Sequence, residues 1–165
     1  MSTLEVKAIQ APSGFDLQMP AGHIMQVVSA DYVTEGNSTS TSFVSIGLTA
    51  TITPSTTSSK IIILASPTVW GDRTGNAENL TKLAIYKGSS ILADSETGVR
   101  TYDRGGSGIQ VWGKPAMNYV DSPSTTSATT YTVYGKAAES GITFAWNPND
   151  GGGSHSNIIL MEVAG

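Results

Sequence analysis

The chain has 165 residues and a formal net charge of −4, and only 13% of its side chains are charged, against about 25% in an average soluble domain. Its polarity comes instead from 21 Ser and 20 Thr, while 39% of the residues are hydrophobic. These values exclude disorder driven by charge repulsion and a basic nucleic-acid-binding surface, and the longest apolar run, Ile61 to Ala65, is too short for a membrane-spanning helix.

The first 22 residues differ from the rest, because Pro and Gly punctuate them and few apolar side chains are available there for burial. We predict an N-terminal attachment arm over residues 1–22, followed by one domain over residues 23–165. An edge strand packed on its own domain is the alternative. The N-terminus lacks the cationic start and apolar core of a signal peptide. We therefore expect that, if the protein acts outside a cell, it does not leave through the general secretion route. The candidate arm contacts are Leu4, Val6, Ile9, Phe15 and Leu17.

The next segments predict strands, because their apolar residues recur with period two. Ile24 to Val28 forms the first of these, and from Phe43 to Thr53 Val, Ile, Leu and Ala alternate with Ser, Gly and Thr. Such alternation indicates a strand with one buried and one wet face. After a loop over residues 54–59, the run Lys60 to Ala65 is apolar without alternation, which predicts a central strand covered on both faces.

The second half of the chain predicts further short strands and turns. A possible helical turn at Asn76 to Leu80 is the only helix expected. Leu83 to Tyr86 and Ile91 to Ala93 predict a hairpin, and strands follow at Ile109–Trp112, Ala116–Val120, Thr130–Ala137, Ile142–Trp146 and Asn157–Val163. Many short strands with hydroxyl- and Gly-rich turns predict an all-β fold, an antiparallel β-sandwich of the jelly-roll type.

Residues for catalysis are few, since cysteine is absent and no serine lies in a Gly-x-Ser-x-Gly motif. Acidic residues in the middle of the chain could serve glycoside hydrolysis, which needs two carboxyls on one sugar bond. Solubilising loop residues are the favoured interpretation, so no catalytic residue is expected. These acids are Asp72, Glu78, Asp94, Glu96 and Asp103, and Trp70 and Trp112 would be their aromatic platforms.

Metal and cofactor sites are not expected either. Residues 147–153 offer oxygen ligands on a flexible turn, which Ca²⁺ would accept, but the spaced carboxylates of a calcium loop are missing. We therefore interpret the segment as a turn.

The aromatic side chains are candidates for surface recognition, with burial in the core as the alternative. The four singled out are Trp70, Tyr102, Trp112 and Tyr119, and of the tyrosines we expect Tyr102 and Tyr119 to be exposed, because they lie in polar or strand-end surroundings.

Several segments together resemble small virion and tail-fibre proteins of tailed bacteriophages. The most distinctive is Met19 to Val28, which contains a Pro-Ala-Gly-His-hydrophobic-x-Gln-Val motif, and the others follow in the same order and similar spacing. These others are Leu48–Pro54, Ser58–Ile63, Thr130–Tyr134, Phe144–Asn147 and Ser156–Glu162.

The resemblance implies a non-enzymatic structural protein of the virion, a small fibre or knob of jelly-roll type. Such proteins usually form homotrimers and contact other tail or capsid proteins through an arm. The Gly-, Asn- and Asp-rich loops between Thr68 and Pro115 suit variable recognition, so we expect the loops to contact the host surface, with host-surface carbohydrate as the candidate ligand. The resemblance carries over no catalytic, metal or cofactor residue, and neither nucleic-acid binding nor membrane insertion is expected. Alternatives are a capsid decoration protein without a receptor role, a polysaccharide-degrading enzyme and a free lectin.

Overall fold

The computed structural model describes residues 20–73, 78–93, 95–102, 108–148 and 154–165. Within these ranges it contains thirteen strands and no helix, and no membrane-spanning helix is found there. The strands are β1 (Ile24–Tyr32), β2 (Gly36–Ser38), β3 (Val44–Ile52), β4 (Lys60–Ser66), β5 (Val69–Arg73), β6 (Glu78–Lys87), β7 (Ser90–Ile91), β8 (Thr97–Tyr102), β9 (Ile109–Gly113), β10 (Met117–Asp121), β11 (Thr129–Ala137), β12 (Ile142–Trp146) and β13 (Ser156–Val163).

All strand pairs are antiparallel, and the predicted all-β sandwich is confirmed. One layer consists of two half-sheets, β1-β13-β4-β10 and β2-β12-β5-β9. Strands at the same position in the two half-sheets follow each other in the chain, so each such pair is one interrupted strand. The opposing sheet has the order β3-β11-β6, with β7 and β8 both paired to β6. Counted this way, eight long strands form two sheets in the orders 1-8-3-6 and 2-7-4-5, which is a jelly-roll arrangement.

The interruption between the two half-sheets lies where β4 ends and β5 begins. Pro67 is buried there, and it has no N–H to donate to a neighbouring strand. The next backbone N–H, that of Thr68, donates to the Ser156 hydroxyl at 2.9 Å instead of to a backbone carbonyl. The backbone N–H of Asn147 donates to the Thr68 carbonyl at 3.0 Å. These bonds join the junction of β4 and β5 to Asn147, directly after β12, and to the first residue of β13.

The core lies between the two layers and is built by alternation. Ile46, Leu48, Ala50 and Ile52 of β3 point inward as predicted, while the residues between them face outward. Tyr131 and Val133 of β11 lie together in the core. The predicted hairpin forms around Gly88 and Ser89, although β7 is shorter than expected.

The predicted helical turn at 76–80 is wrong for its described part, Glu78 to Leu80, which begins β6. Here Leu80 and Glu78 lie on the outer face, whereas Asn79 and Thr81 are buried among core side chains. The sequence pattern does not predict a strand here, because polar residues occupy the inward positions. Strands β2, β5 and β8 were not predicted either, since each is short and lacks a regular apolar alternation.

Gly47 produces an irregularity in β3. Its φ is +86°, and pairing with β11 shifts register between Thr132 and Tyr134, as at a β-bulge. The Tyr32 ring lies against this glycine, so closely that a Cβ at residue 47 would be 2.3 Å from a ring carbon. The missing side chain therefore allows both the left-handed backbone and the packing of β1 on β3.

The described chain enters the domain beside its own C-terminus. Gly22 donates its backbone N–H to the Ala164 carbonyl at 2.8 Å, and Ala164 donates to the His23 carbonyl at 2.8 Å. The five candidate arm residues Leu4, Val6, Ile9, Phe15 and Leu17 lie outside the described residues, so the arm stays a prediction.

Candidate functional site

Two of the predicted recognition residues, Trp70 and Trp112, lie side by side on the outer face of the half-sheet β2-β12-β5-β9. They are directly paired across β5 and β9, with ring centroids 6.0 Å apart at 47°. On the other side of Trp70 the register continues through Ala145 to Asn37. We call these four residues the tryptophan row. It crosses all four strands of the half-sheet.

Strand alternation explains why the indoles face outward. Val69 and Gly71 of β5 are buried, so Trp70 and Asp72 must project from the opposite face. Trp112 lies at the edge of the half-sheet and is 48% exposed, while Trp70 is half-buried between its neighbours. An exposed indole on an edge strand is an anchor of the kind found in binding surfaces.

A concavity of about 420 Å³ lies beside Trp70. The methyl side chain of Ala145 leaves space between the indole and the backbone of β2, and polar groups surround that space. The lining residues are Glu35, Gly36, Asn37, Trp70, Thr143, Ala145 and Pro148. A hollow with one aromatic wall and a few amide, hydroxyl and carboxylate groups is suited to a small polar ligand with an apolar face.

A second row of polar residues runs parallel to the tryptophan row. Thr143 pairs with Asp72, and Asp72 pairs with Gln110, all on the same outer face. Together with Asn37 and Glu35, they place hydrogen-bond donors and acceptors around the indoles. This arrangement can bind a sugar, because a pyranose has an apolar C–H face for the aromatic ring and hydroxyls for its polar neighbours.

The indole N–H of Trp70 is buried and has no hydrogen-bond partner within the described residues. An orphaned buried donor costs roughly 1–3 kcal/mol. Trp70 therefore offers a ligand its ring surface and not its N–H, and the unpaired N–H lowers the stability of the fold.

The other predicted recognition residues are not part of this row. Tyr102 ends β8 in the opposing sheet and is 55% exposed, as expected for a surface residue. Tyr119 was predicted to be exposed, but it packs against the core. Its position in β10 is paired with the fully buried Ile63, so the alternation turns it inward.

The acidic residues considered for glycoside hydrolysis are spread over different elements. Asp72 lies on β5, Glu96 is exposed before β8, and Glu78 forms an ion pair with Arg100 at 2.7 Å. Asp94 and Asp103 lie outside the described residues. Three concavities lined by described residues each include one carboxyl, Glu35 in one and Glu96 in the other two, whereas hydrolysis needs two.

The predicted turn at 147–153 is described only at Asn147 and Pro148. Asn147 has φ +46° and is buried, and its side-chain oxygen accepts a hydrogen bond from the Ser156 hydroxyl at 2.7 Å. That oxygen is engaged in holding the turn against β13. Among described residues no group of three or more acidic or histidine side chains could hold a metal ion.

A buried carboxylate, Glu162, was not anticipated from the sequence. It lies at the inner face of β13 with no exposed surface. Its two oxygens accept bonds from the Ser55 backbone N–H, the Ser59 hydroxyl and the Gln26 amide, each at 2.6 Å, and from the Ser55 hydroxyl at 3.1 Å. Burial alone would raise the pKa of Glu162, but these donors outweigh it and hold the pKa below its usual range.

A second buried polar cluster joins β6, β10 and β11. Asp121 accepts a bond from the Tyr131 hydroxyl at 2.7 Å and forms an ion pair with Lys87 at 2.9 Å. Burial raises the pKa of Tyr131 far above its usual value, and the hydrogen bond to Asp121 and the charge of Asp121 raise it further. Both clusters fasten strands together within the sandwich. Neither lies on the face of the tryptophan row.

No protein-family model matches the chain, and no curated protein matches it as a relative.

Proposed function

We propose that this protein is a non-enzymatic structural component of a bacteriophage virion, a small fibre or knob, that binds host-surface carbohydrate through the tryptophan row. The observation that carries the binding role is the outward-facing pair Trp70 and Trp112, 6.0 Å apart beside a polar hollow. Exposed aromatic side chains beside polar groups are typical of recognition surfaces. The virion role is supported by the phage-like motif at Pro20 to Val27 and by the jelly-roll strand order.

In this proposal residues 1–22 form the arm that joins other tail or capsid proteins, and several copies associate in the particle. The carbohydrate face then belongs to the domain and not to the arm. The charge-poor surface suits such a role, because hydroxyl groups hydrate it without attracting ions. The tryptophan row would bind sugars weakly, by stacking and several hydrogen bonds, as a shallow surface does.

Replacing Trp112 with Ala tests the binding role. We expect at least a tenfold loss of affinity for host-cell polysaccharide, about 1.4 kcal/mol, because the exposed stacking surface is removed. Tyr102→Ala is the matched control, since Tyr102 is similarly exposed but lies on the opposing sheet. Binding of labelled protein to host cells and to purified polysaccharide is the measurement. Equal affinity of both variants and the unaltered protein would contradict the proposal.

Incubation with the same polysaccharide tests the absence of catalysis. We expect no release of reducing ends over hours, and sustained release would make the protein an enzyme instead.

Purified particles carrying a labelled copy test the virion role. We expect the full chain to be incorporated and a variant lacking residues 1–19 to stay out of the particle while keeping its fold. A labelled protein that binds polysaccharide but is absent from particles would favour the free lectin. Incorporation without any host binding would favour the decoration protein.

A further inference from the structure

The outer face of the half-sheet β1-β13-β4-β10 carries an apolar patch. The register places Val27, Met161, Ile62 and Val120 in one row across all four strands. Val27 and Val120 are 58% and 57% exposed, and no described element covers the row. We call this surface the apolar face, with Ile24, Met25, Val27, Ile62, Leu64, Val120, Ile159, Met161 and Val163 as its members.

The outer face of the opposing sheet differs in composition from the apolar face. On β3, in the opposing sheet, the outward positions carry Ser45, Thr49 and Thr51, as expected for a face in contact with water. On β4 and β13 both faces are apolar, as in the runs Ile61–Leu64 and Ile158–Met161. That composition is typical of a sheet covered on both sides. Within the described residues only one side is covered.

Charge on the apolar face is balanced. Asp31 of β1 lies at one end of the strands that carry this face, and Lys60 of β4 lies at the other end. These are one acidic and one basic residue, so two such faces can approach each other without like-charge repulsion. A partner with a strongly charged surface would leave the nine apolar side chains unmatched and the partner's charges desolvated.

A second copy of this chain fits the face in size and chemistry. Four strands span about 19 Å across, and six residues of strand span about 20 Å along it. A second copy presents a sheet of the same dimensions with the same apolar row, and sheets pack face to face at about 10 Å through such rows. The two layers of the sandwich already pack against each other in the same way.

We infer that the apolar face is the surface through which copies of this chain associate, and that the partner seated on it is a second copy. This inference rests on the proposed function, in which several copies assemble, and it assigns the contact between them. Val27 and Val120, at the two edges of the row, are buried by the neighbouring copy. The number of copies follows from the mass of the assembly.

Charge insertion at the edges of the row tests the inference in the full chain. We expect Val120→Glu and Val27→Glu to raise the dissociation constant of the assembly at least about 100-fold, or about 2.7 kcal/mol, since each buries an unpaired carboxylate. Val33→Glu is the control, because Val33 is 68% exposed and follows the end of β1. Mass by sedimentation over a concentration series is the measurement, and circular dichroism verifies that each variant is folded.

Thiol accessibility gives a second measurement that does not depend on charge. The chain has no cysteine, so Val120→Cys and Val33→Cys each provide a single reactive group. In an isolated copy the two positions are similarly exposed, at 57% and 68%. In the assembly we expect maleimide to react with the thiol at position 120 at least tenfold more slowly than with the thiol at position 33, and at equal rates after dilution to monomers.

The outcomes separate this inference from the proposed function. An assembly that keeps its mass in the Val27→Glu and Val120→Glu variants, with equal thiol rates, overturns the apolar face as the contact but leaves assembly intact. A chain that is monomeric at high concentration overturns both the contact and the multimeric part of the proposed function. A monomer with a protected thiol at position 120 shows that residues 1–19 or another part of the same chain covers the face, and also overturns the inference.

Discussion

Glu162 shows how one residue can fasten a loop to two strands. Its carboxylate is buried and accepts four hydrogen bonds, from Gln26 of β1 and from Ser55 and Ser59 of the loop after β3. A buried charge is stable only when donors surround it. Here the donors come from segments that are more than one hundred residues away in the chain, so the carboxylate closes the edge of the sandwich.

We predict that Glu162→Gln lowers the free energy of unfolding by about 3 kcal/mol at pH 7, because an amide turns an N–H₂ donor toward donors that need an acceptor. The lowered pKa means that the folded state favours the carboxylate. Its stabilising effect is therefore present above the ordinary value of 4.5 and is lost as the pH falls through the lower folded-state value. The difference between the two proteins should shrink in acid.

Urea unfolding between pH 7 and pH 3 measures this. Glu96→Gln is the control, because Glu96 is exposed and its replacement should stay within about 0.5 kcal/mol of the unaltered protein. A loss that is equally large at both ends of the pH range would contradict the assignment of the effect to ionisation.

The raised pKa of Tyr131 predicts that the folded protein loses stability at alkaline pH. Its pKa is raised by burial and by Asp121, so the folded state keeps the phenol protonated. The stability that this provides is present below the ordinary value of 10 and decreases as the pH rises above it, since only the unfolded chain ionises there. We expect Tyr131→Phe to be about 1–2 kcal/mol less stable at pH 7. Its stability should fall less steeply between pH 9.5 and 11, as measured by guanidinium unfolding. Parallel slopes would show that other groups account for the alkaline loss.

At these positions the sequence is informative only where alternation decides the outcome. Tyr102 could be assigned to the surface from its polar surroundings, and it is exposed. Tyr119 could not, because the β10 strand was predicted without knowing which of its faces meets the core. Glu162 was hidden for a related reason: no local pattern reveals that Gln26 and Ser55 will meet it.

At the scale of elements, the irregularity in β3 depends on Gly47. We predict that Gly47→Ala lowers the free energy of unfolding by about 3 kcal/mol, because the added Cβ collides with the Tyr32 ring and the backbone has φ +86°. Gly141→Ala separates the two causes. Gly141 also has φ +86° but has no atom within 4 Å of the added Cβ, so its loss should be only about 1 kcal/mol. Thermal unfolding of both variants is the measurement. Equal losses would show that Tyr32 can move aside without cost.

Element prediction succeeded where one face is apolar and the other hydroxyl-rich. In β3 and β11 the outward threonines pair directly, with hydroxyl separations of 2.9 Å for Thr49 and Thr132 and 2.7 Å for Thr51 and Thr130. These cross-strand contacts account for much of the hydroxyl-rich composition on that sheet. Strand β5 was missed because Val69 to Arg73 places glycine and charged residues beside tryptophan. Its strand conformation follows from its neighbours β12 and β9, and not from its own propensity.

At the scale of the whole molecule, the first and last strands of the domain are partners. β13 lies between β1 and β4, so the C-terminal residues complete the sheet that the N-terminal strand begins. We predict that a chain ending at residue 155 shows no cooperative thermal transition, because β1 and β4 lose their shared neighbour and the core loses Ile158 and Leu160. Removal of residues 1–19 should leave a cooperative transition. Circular dichroism during heating measures both, and cooperative unfolding of the shortened C-terminal variant would contradict the prediction.

The break in the layer at Pro67 and Thr68 gives one set of long strands two different outer surfaces. One half-sheet carries the apolar face and the other carries the tryptophan row. If copies join through the first, the second is held at a fixed spacing from its equivalents, since both belong to the same strands. Weak single-site binding would then be multiplied by avidity, which can exceed either affinity by about 10²–10⁴ without any new contact. A multivalent array of modest sites releases slowly from a dense sugar coat yet exchanges quickly at each site.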